Sequence, residues 1–536
     1  MNRELWKHSI VYQIYPRSFM DSNHDGIGDI PGIISKLDYV RDLGVNVIWL
    51  SPVYASPNDD NGYDISDYLS INPEYGTMDD MDQLIEEAKS RGIRIIMDLV
   101  INHTSDEHKW FIESQKKDSP YRDYYIWRDK PNNWTSFFSG TAWDKIGDSY
   151  YLHLFSKKQP DLNWNNPEVM KEIKHVMKFW LDKGIYGFRC DVINVIFKSS
   201  LENGKKRLVL TGREFYHSQE GCHEILRTLR KEVLDHYDCF TVGETVMVNT
   251  KEANDLILPE RKELDMVFGF EHMEVDQINN KWFKTKFKPN KLIKVLTKWQ
   301  KEVYWNANYL SNHDQPRSVS RFGDDKKYRI ESAKMLGTLN LSLKGTPYIY
   351  QGEEIGMTNG DFKNLNEYQD IETHRIYALA KKLMFPKWYR MKMIRKTSRD
   401  NARTPLQWNK DGGFSTKKPW LKMNENMKFI NVFDSIQNSD SILNHYKEMI
   451  SIRKENDVLI NGSFEPLYTK NGLFMFKRYH SKSSIICVSN LTKKAKKMPI
   501  KISGKILTSN YNRENLNDQI LKPYESILLM EGHAND

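Results

Sequence analysis

The sequence predicts an α/β protein. Its frame is a TIM (β/α)8 barrel with a small domain inserted after the third strand and an antiparallel β-sandwich domain at the C-terminus. Three observations predict it. Eight short apolar runs alternate with amphipathic stretches between residues 9 and 354. Such runs suit strands of a parallel sheet buried on both faces, and eight strand–helix units favour a closed barrel over an open sheet. No GxGxxG follows the first run, which removes the commonest reason to prefer a dinucleotide fold. From about residue 464 the pattern changes to β-like runs separated by turns.

Taken in order, the β-rich run 9–16 (SIVYQIYP) comes first. Residues 33–44 then have helical spacing and stop on Gly44. Strand two is VNVIWLSP, 45–52, and the helix 78–92 again ends on glycine. Strand three, 93–103, reads IRIIMDLVINH. Residues 104–166 are aromatic, polar and irregular, and are read as the inserted domain. The alternation resumes with helix 167–183, strand 187–194, helix 223–236 and strand 240–245. It continues with strand 265–271, helix 290–302, strand 308–314, helix 327–343 and strand 346–354. A long mixed excursion, about 355–438, precedes a last helix at 439–455. The expected parts are thus barrel 1–103, insertion 104–166, barrel 167–463 and C-terminal domain 464–536.

Composition narrows the function classes. With 39% hydrophobic and 12% aromatic residues, the chain can build a sizeable core and is not a disordered protein. The net charge of +8, from 79 basic and 71 acidic residues, is small for 536 residues. The densest basic run, KKAKKMPIK at 493–501, reads as a solvated strand edge, and no nucleic-acid-binding signature accompanies it. Four cysteines, Cys190, Cys222, Cys239 and Cys487, form neither a disulfide framework nor a CxxC zinc pair. The first residues lack a signal-peptide apolar region, and no run reaches the ~18 apolar residues of a membrane span. These features lead us to expect a cytoplasmic enzyme with no membrane or nucleic-acid partner; the oligomeric state is not readable from them, and a monomer is the default expectation.

In a barrel, chemistry sits at the C-terminal ends of the strands. Strand three ends in Asp98, Asn102 and His103, and strand four in Arg189 and Asp191. Strand five ends in Glu244 and strand seven in His313 and Asp314. A lone strand-end acid is usually a helix cap. Several together are costly, and function explains why they are tolerated. Paired carboxylates at a barrel mouth suit glycoside hydrolysis: one attacks the anomeric carbon, the other donates a proton to the leaving oxygen and later activates water. Arg189, two residues before Asp191 on the same strand face, would keep that Asp ionised.

The motifs DLVINH, GFRCDVIN, VGET and SNHD, in that order, resemble the signature regions of the α-amylase family, glycoside hydrolase family 13. QPDLN at 159–163 resembles its further signature. VYQIYPRSF, SPNDDNGYDI, GTPYIYQGEEIGMTN and RDNARTPLQW resemble its oligo-1,6-glucosidase and dextran-glucosidase branch. The resemblance covers nearly the whole chain and is weakest at 195–235 and after about 460. It implies a retaining α-glucosidase with Asp191 as nucleophile, Glu244 as acid/base, and Asp314 binding the sugar's ring hydroxyls. Asp60 and Arg399 would grip the terminal glucose and make the action exo. Tyr63 would stack under that glucose, with His103, Arg189 and His313 hydrogen-bonding around it.

Val192, the residue after the nucleophile, matches relatives that cut α-1,6 bonds; α-1,4 enzymes tend to carry Ala or Thr there. The expected substrate is therefore a small isomalto-oligosaccharide. Alternatives within the family are trehalose-6-phosphate hydrolase, α-1,4-glucosidase and sucrose isomerase. A non-enzymatic amylase-like protein is disfavoured because all three acids are present. Four features depart from the branch: Cys190 replaces Met or Phe, Val246 replaces Trp or Pro, Ser311 stands where Asn is frequent, and 302–310 is short.

The stretch DSNHDGIGD, 21–29, spaces acidic and amide residues like an EF-hand, but position twelve is Gly32 rather than Glu. A metal-free Asx-rich turn is the plain alternative. In the resembling branch this loop, usually with Gly at position 24, holds one structural calcium. The implied ligands are Asp21, Asn23, Asp25 and Asp29 through their side chains and Ile27 through its carbonyl.

Overall fold

A computed structural model describes residues 5–207, 209–278 and 280–531. The ends of the expected barrel and C-terminal domain, 1–4 and 532–536, lie outside the described residues. The chain gathers into two compact units. One holds Trp49–Lys89 and Arg94–Gly269, and the other holds the rest of the described residues.

The barrel strands are β1 (Val11–Ile14), β2 (Val47–Leu50), β3 (Arg94–Leu99), β4 (Gly187–Cys190), β5 (Phe240–Glu244), β6 (Met266–Phe268), β7 (Ala307–Asn308) and β8 (Thr346–Tyr350). They form one eight-stranded parallel sheet of order β6-β5-β4-β3-β2-β1-β8-β7, the sheet of a TIM barrel. In the first unit Asp98 pairs with Arg189, and Val242 with both Arg189 and Met266. In the second, Val11 pairs with Tyr348. Every residue of β1, β2, β4, β5, β6 and β8 is buried, which explains why these strands read as unbroken apolar runs.

The helices form where the pattern predicts them, with shifted ends. Helix Pro167–Asp182 has Pro in its first turn and an Asn166 side chain that accepts from Glu168 N–H. It buries Val169, Ile173, Val176, Met177 and Trp180 on one face. The helix expected at 33–44 is two pieces, Ile30–Ile34 and Leu37–Leu43, broken where Ser35 Oγ donates to Gly32 O at 2.7 Å. The strand expected at 308–314 is only Ala307–Asn308. Asn308 faces Pro347, which has no N–H to extend the ladder, and the Tyr309 carbonyl accepts instead from His272 Nε2 at 2.9 Å. The segment carrying His313 and Asp314 is therefore an irregular extension beyond β7.

Between β3 and β4 lie a helix, Lys109–Ser114, and a three-stranded antiparallel sheet of Trp127–Arg128, Trp143–Ile146 and Ser149–Leu152. Beyond β8 the excursion contains helices Ile371–Lys382 and Lys387–Thr397 around Phe362, Tyr368, Tyr377 and Ile394. The C-terminal β domain is a five-stranded antiparallel sheet. It is built from β9 (Ser463–Tyr468), β10 (Leu473–His480), β11 (Ser483–Asn490), β12 (Lys505–Ser509) and β13 (Ser526–Met530) in the order β9-β10-β11-β13-β12. Met475, Val488, Ile527 and Leu529 share its core with Met498 and Leu521, the latter from a two-stranded sheet of Lys496–Lys497 and Ile520–Leu521. Among the described residues no helix is long and apolar enough to cross a membrane.

Candidate active site

The residues expected to act on substrate fall into two groups, one in each unit. In the first unit the group is organised by Arg189. Its side chain points from the end of β4 and is 1% exposed. Nη1 bonds Asp98 Oδ1 at 2.6 Å and also Asp191 Oδ1, while Nη2 bonds Glu244 Oε2 at 2.7 Å. One guanidinium thus holds three buried carboxylates from the ends of β3, β4 and β5. Register brings them together: Asp98 pairs directly with Arg189, and Asp191 N–H donates to Leu99 O at 3.0 Å. The guanidinium lies 5.3 Å from the Trp49 ring and 5.6 Å from the Tyr63 ring. Trp49 Nε1 donates to the second oxygen of Asp98 at 2.6 Å.

Three carboxylates against one fixed cation leave excess negative charge in a buried place. Burial pushes Asp98 up to about 6, against Arg189. It pushes Asp191 well above the carboxylate range, with Glu244 and Asp98 adding repulsion and Arg189 opposing. The cluster therefore holds a proton more tightly than isolated carboxylates would, and that proton belongs to the cluster rather than to one residue.

His103 sits beside this group, 2% exposed. Its Nε2 lies 3.2 Å from Tyr63 O and 3.2 Å from Gln159 Nε2, and Asn102 Nδ2 lies 3.1 Å from its Nδ1. Burial lowers its pKa to about 4, so the ring is neutral at pH 7. Gln159 Nε2 also reaches Asp60 Oδ2 at 3.3 Å, linking two of the expected sugar-binding residues. Behind them Lys198 pairs with Asp161 at 2.6 Å and donates to Asn102 at 2.8 Å. Val192, directly after Asp191, is 5% exposed and has φ 36°, ψ 39°. That is the left-handed region, which a β-branched residue rarely enters. It packs in a cluster with Trp134, Val195 and Tyr216.

In the second unit Asp314 is held by Arg403 Nη2 at 2.6 Å, with Arg399 Nη1 at 3.6 Å and His313 Nε2 at 3.4 Å. Burial alone would raise its pKa, but His313, Arg399 and Arg403 outweigh that and hold the carboxyl well below its ordinary value. Asp314 is thus a fixed anion. Arg399 is itself clamped by Asp370 Oδ1 at 2.8 Å and 3.0 Å.

Loop 21–29 lies in the second unit. Asp21 accepts from His24 N–H at 2.7 Å and Gly26 N–H at 2.9 Å. Asn23 Oδ1 accepts from Asp25 N–H at 3.0 Å, and Asp25 Oδ1 from Ile27 N–H at 2.8 Å. Asp29 caps the next helix through Gly32 N–H at 2.6 Å and accepts from Ser22. A Cβ on Gly26 (φ +96°) would lie 2.3 Å from Lys418 O, so only glycine fits there. His24 has φ 64°, which accounts for glycine at that position in the resembling branch. The donor set is all hard oxygen, which suits calcium. The carboxylates turn to loop N–H groups, and no group of three His, Cys, Asp or Glu among the described residues is placed to hold a metal ion.

Several contributors were not singled out from sequence. Arg403 lies four residues after Arg399 on one helical turn, a spacing that signals a shared face. Gln159 opens the quoted QPDLN motif. Lys198 and Asp370 carry no local signal.

Comparison with known proteins identifies the family. The family description "Alpha amylase, catalytic domain" matches residues 13–462. An oligo-1,6-glucosidase of Bacillus cereus is 50% identical, with 98% of this chain and 99% of that protein covered. A glucan 1,6-alpha-glucosidase of Streptococcus pneumoniae serotype 4 is 46% identical, at 98% and 99% coverage. The crystal structure of the Bacillus licheniformis trehalose-6-phosphate hydrolase is similar at TM-score 0.93 and 44% identity, covering 98% of this chain and 99% of that one. Motifs, barrel sheet and full-length relatives agree, and the chain belongs to the α-amylase family of glycoside hydrolases.

Proposed function

We propose that this protein is an exo-acting, retaining α-glucosidase that removes terminal α-1,6-linked glucose from isomalto-oligosaccharides. The observation that carries this reading is the single guanidinium shared by Asp191 and Glu244. Two carboxylates on one guanidinium stand close together. A close pair is what a retaining mechanism needs, with its carboxyl groups ~5–5.5 Å apart.

With the cluster's shared proton on Glu244, Asp191 is the carboxylate paired with Arg189; it attacks the anomeric carbon and forms a glucosyl ester. The proton of the cluster, carried by Glu244, goes to the departing glycosidic oxygen. In the second step Glu244 takes a proton from water, which attacks the ester and frees Asp191. The two inversions give α-glucose. Asp314, a fixed anion, accepts hydrogen bonds from ring hydroxyls and favours the flattened ring of the transition state. Neutral His103 hydrogen-bonds hydroxyls, as does His313, Tyr63 offers an apolar face, and Asp60 and Arg399 hold the terminal glucose.

Relatives named for α-1,6 linkages support the linkage, as does Val192. One such contact shifts preference by only about 1–3 kcal/mol. A panel of isomaltose, isomaltotriose, maltose, sucrose and trehalose-6-phosphate tests it. Isomaltose and isomaltotriose are expected to give the highest kcat/KM. Faster turnover of maltose or of the phosphorylated sugar would reject the linkage.

The same reading places one structural calcium on Asp21, Asn23, Asp25, Asp29 and the Ile27 carbonyl, and takes the enzyme as a cytoplasmic monomer. When bound, calcium would fasten the loop and take no part in the chemistry. A ligand at 100 times its Kd stabilises by about 2.7 kcal/mol. EDTA should therefore lower Tm by several degrees, and added calcium should restore it. An unchanged Tm, with no calcium found by elemental analysis, removes the ion from the account.

A further inference from the structure

Glu353 is a buried carboxyl group that the proposed chemistry does not use. It opens a short turn, Glu353–Ile355, just beyond β8, and is 6% exposed. Its Oε1 accepts from Ser311 Oγ at 2.7 Å and its Oε2 from Tyr350 N–H at 3.2 Å. The Ser318 hydroxyl stands near enough to this carboxyl to favour its ionised form. Ser311 and Ser318 bracket the segment that carries His313 and Asp314. That segment has no ladder of its own, because β7 ends at Asn308.

Downstream, Arg403 fixes the same segment. Its Nε donates to His313 O at 3.0 Å and its Nη2 to Asp314 Oδ1 at 2.6 Å. Gln13 Nε2 lies 2.8 Å from His313 Nδ1, and the other ring nitrogen, Nε2, faces Asp314. Upstream, the Glu353–Ser311 bond does the equivalent work. Removing the Ser311 hydroxyl frees the chain two residues before His313 and leaves a buried carboxyl without one of its donors.

We infer that Glu353, acting through Ser311, is a positioning residue for catalysis: it fixes the extension beyond β7 so that Asp314 meets the distorted sugar. The inference rests on the reading of Asp314 given above. Because Asp314 would act mainly on the transition state, its misplacement should lower kcat rather than raise KM. Serine also stands here where asparagine is frequent in the resembling branch. Both residue types can donate to Glu353.

The test compares Ser311→Ala, Glu353→Leu, their double variant, Glu353→Gln and Ser311→Asn on isomaltose, with Asp314→Asn as reference and Tm measured for each. Glu353→Gln can keep its oxygen on the Tyr350 N–H and turn its NH2 to the Ser311 hydroxyl, so it should retain most of kcat, whereas Glu353→Leu removes both acceptors and carries the test if Ser311→Ala does not fold. We expect kcat to fall about tenfold in Ser311→Ala and in Glu353→Leu with KM within about twofold, since small misplacements cost this much or more. The double variant should be no worse than the lower single, and Ser311→Asn should recover most of the loss. Wild-type kcat in folded Ser311→Ala and Glu353→Leu, fully additive losses, or a fall in Tm without a fall in kcat would overturn the inference. If Asp314→Asn is inactive while Ser311→Ala is normal, only this inference fails. If Asp314→Asn itself turns over normally, the assigned role of Asp314 fails too.

Discussion

Replacing Asp191 by Asn, or Glu244 by Gln, is expected to abolish most turnover of isomaltose and leave the protein folded. General acid–base catalysis alone contributes about 10²–10⁴-fold, and loss of the nucleophile should cost at least as much. Each substitution removes one negative charge from a buried cluster in which three carboxylates face one guanidinium. Tm should therefore stay level or rise, because the uncompensated charge falls. The two variants should differ in one respect. With an aryl glucoside whose leaving group needs no proton, Glu244→Gln should retain a fast first step and show a burst of released phenol, whereas Asp191→Asn should show none. Near-normal isomaltose turnover in either variant would remove that residue from its assigned role.

Arg189→Leu should be the most damaging substitution for the fold of the first unit. It leaves Asp98, Asp191 and Glu244 buried without their shared cation, and breaking a buried ion pair in this way costs about 3–5 kcal/mol. The loss should depend on pH. Asp98 and Asp191 are raised in the folded state even with Arg189 present, and without it they rise further. A carboxyl with a folded pKa above its unfolded value binds protons more tightly when folded. Stability is then fullest below the unfolded pKa of about 4 and falls as pH rises through the folded value. The variant should thus be more stable at pH 5 than at pH 7.5, and its deficit relative to the parent protein should narrow on acidification. Equal denaturant midpoints for variant and parent at pH 7.5 would show that Arg189 is not the counter-ion of this cluster.

Much of this site was legible because strand ends are legible. Asp191 and Glu244 stand where an apolar run stops, and barrel topology sends such residues to one end. The partnership of Arg189 with Asp191 follows from their two-residue spacing. Its grip on Asp98 and Glu244 does not, because that depends on β3 and β5 flanking β4, a lateral order the sequence does not state. The over-long seventh strand has a similar cause. NYLSNHD looks like strand, yet Pro347 on the neighbouring strand ends the ladder at Asn308. Lys198 lies in the stretch where the family resemblance is weakest, and its partner Asp161 is distant in sequence. Asp370 was hidden because its contact with Arg399 is made across the excursion beyond β8, which has no period to read.

The central claim is that Asp191 and Glu244 act as a close pair in a double displacement. The most direct measurement is proton NMR of the glucose released from isomaltose in the substrate panel, followed within the first seconds, before the anomers interconvert. The account predicts α-glucose first, with the β-anomer growing in only at the rate of mutarotation. Release of β-glucose first would mean a single displacement by water and would contradict the role given to Asp191.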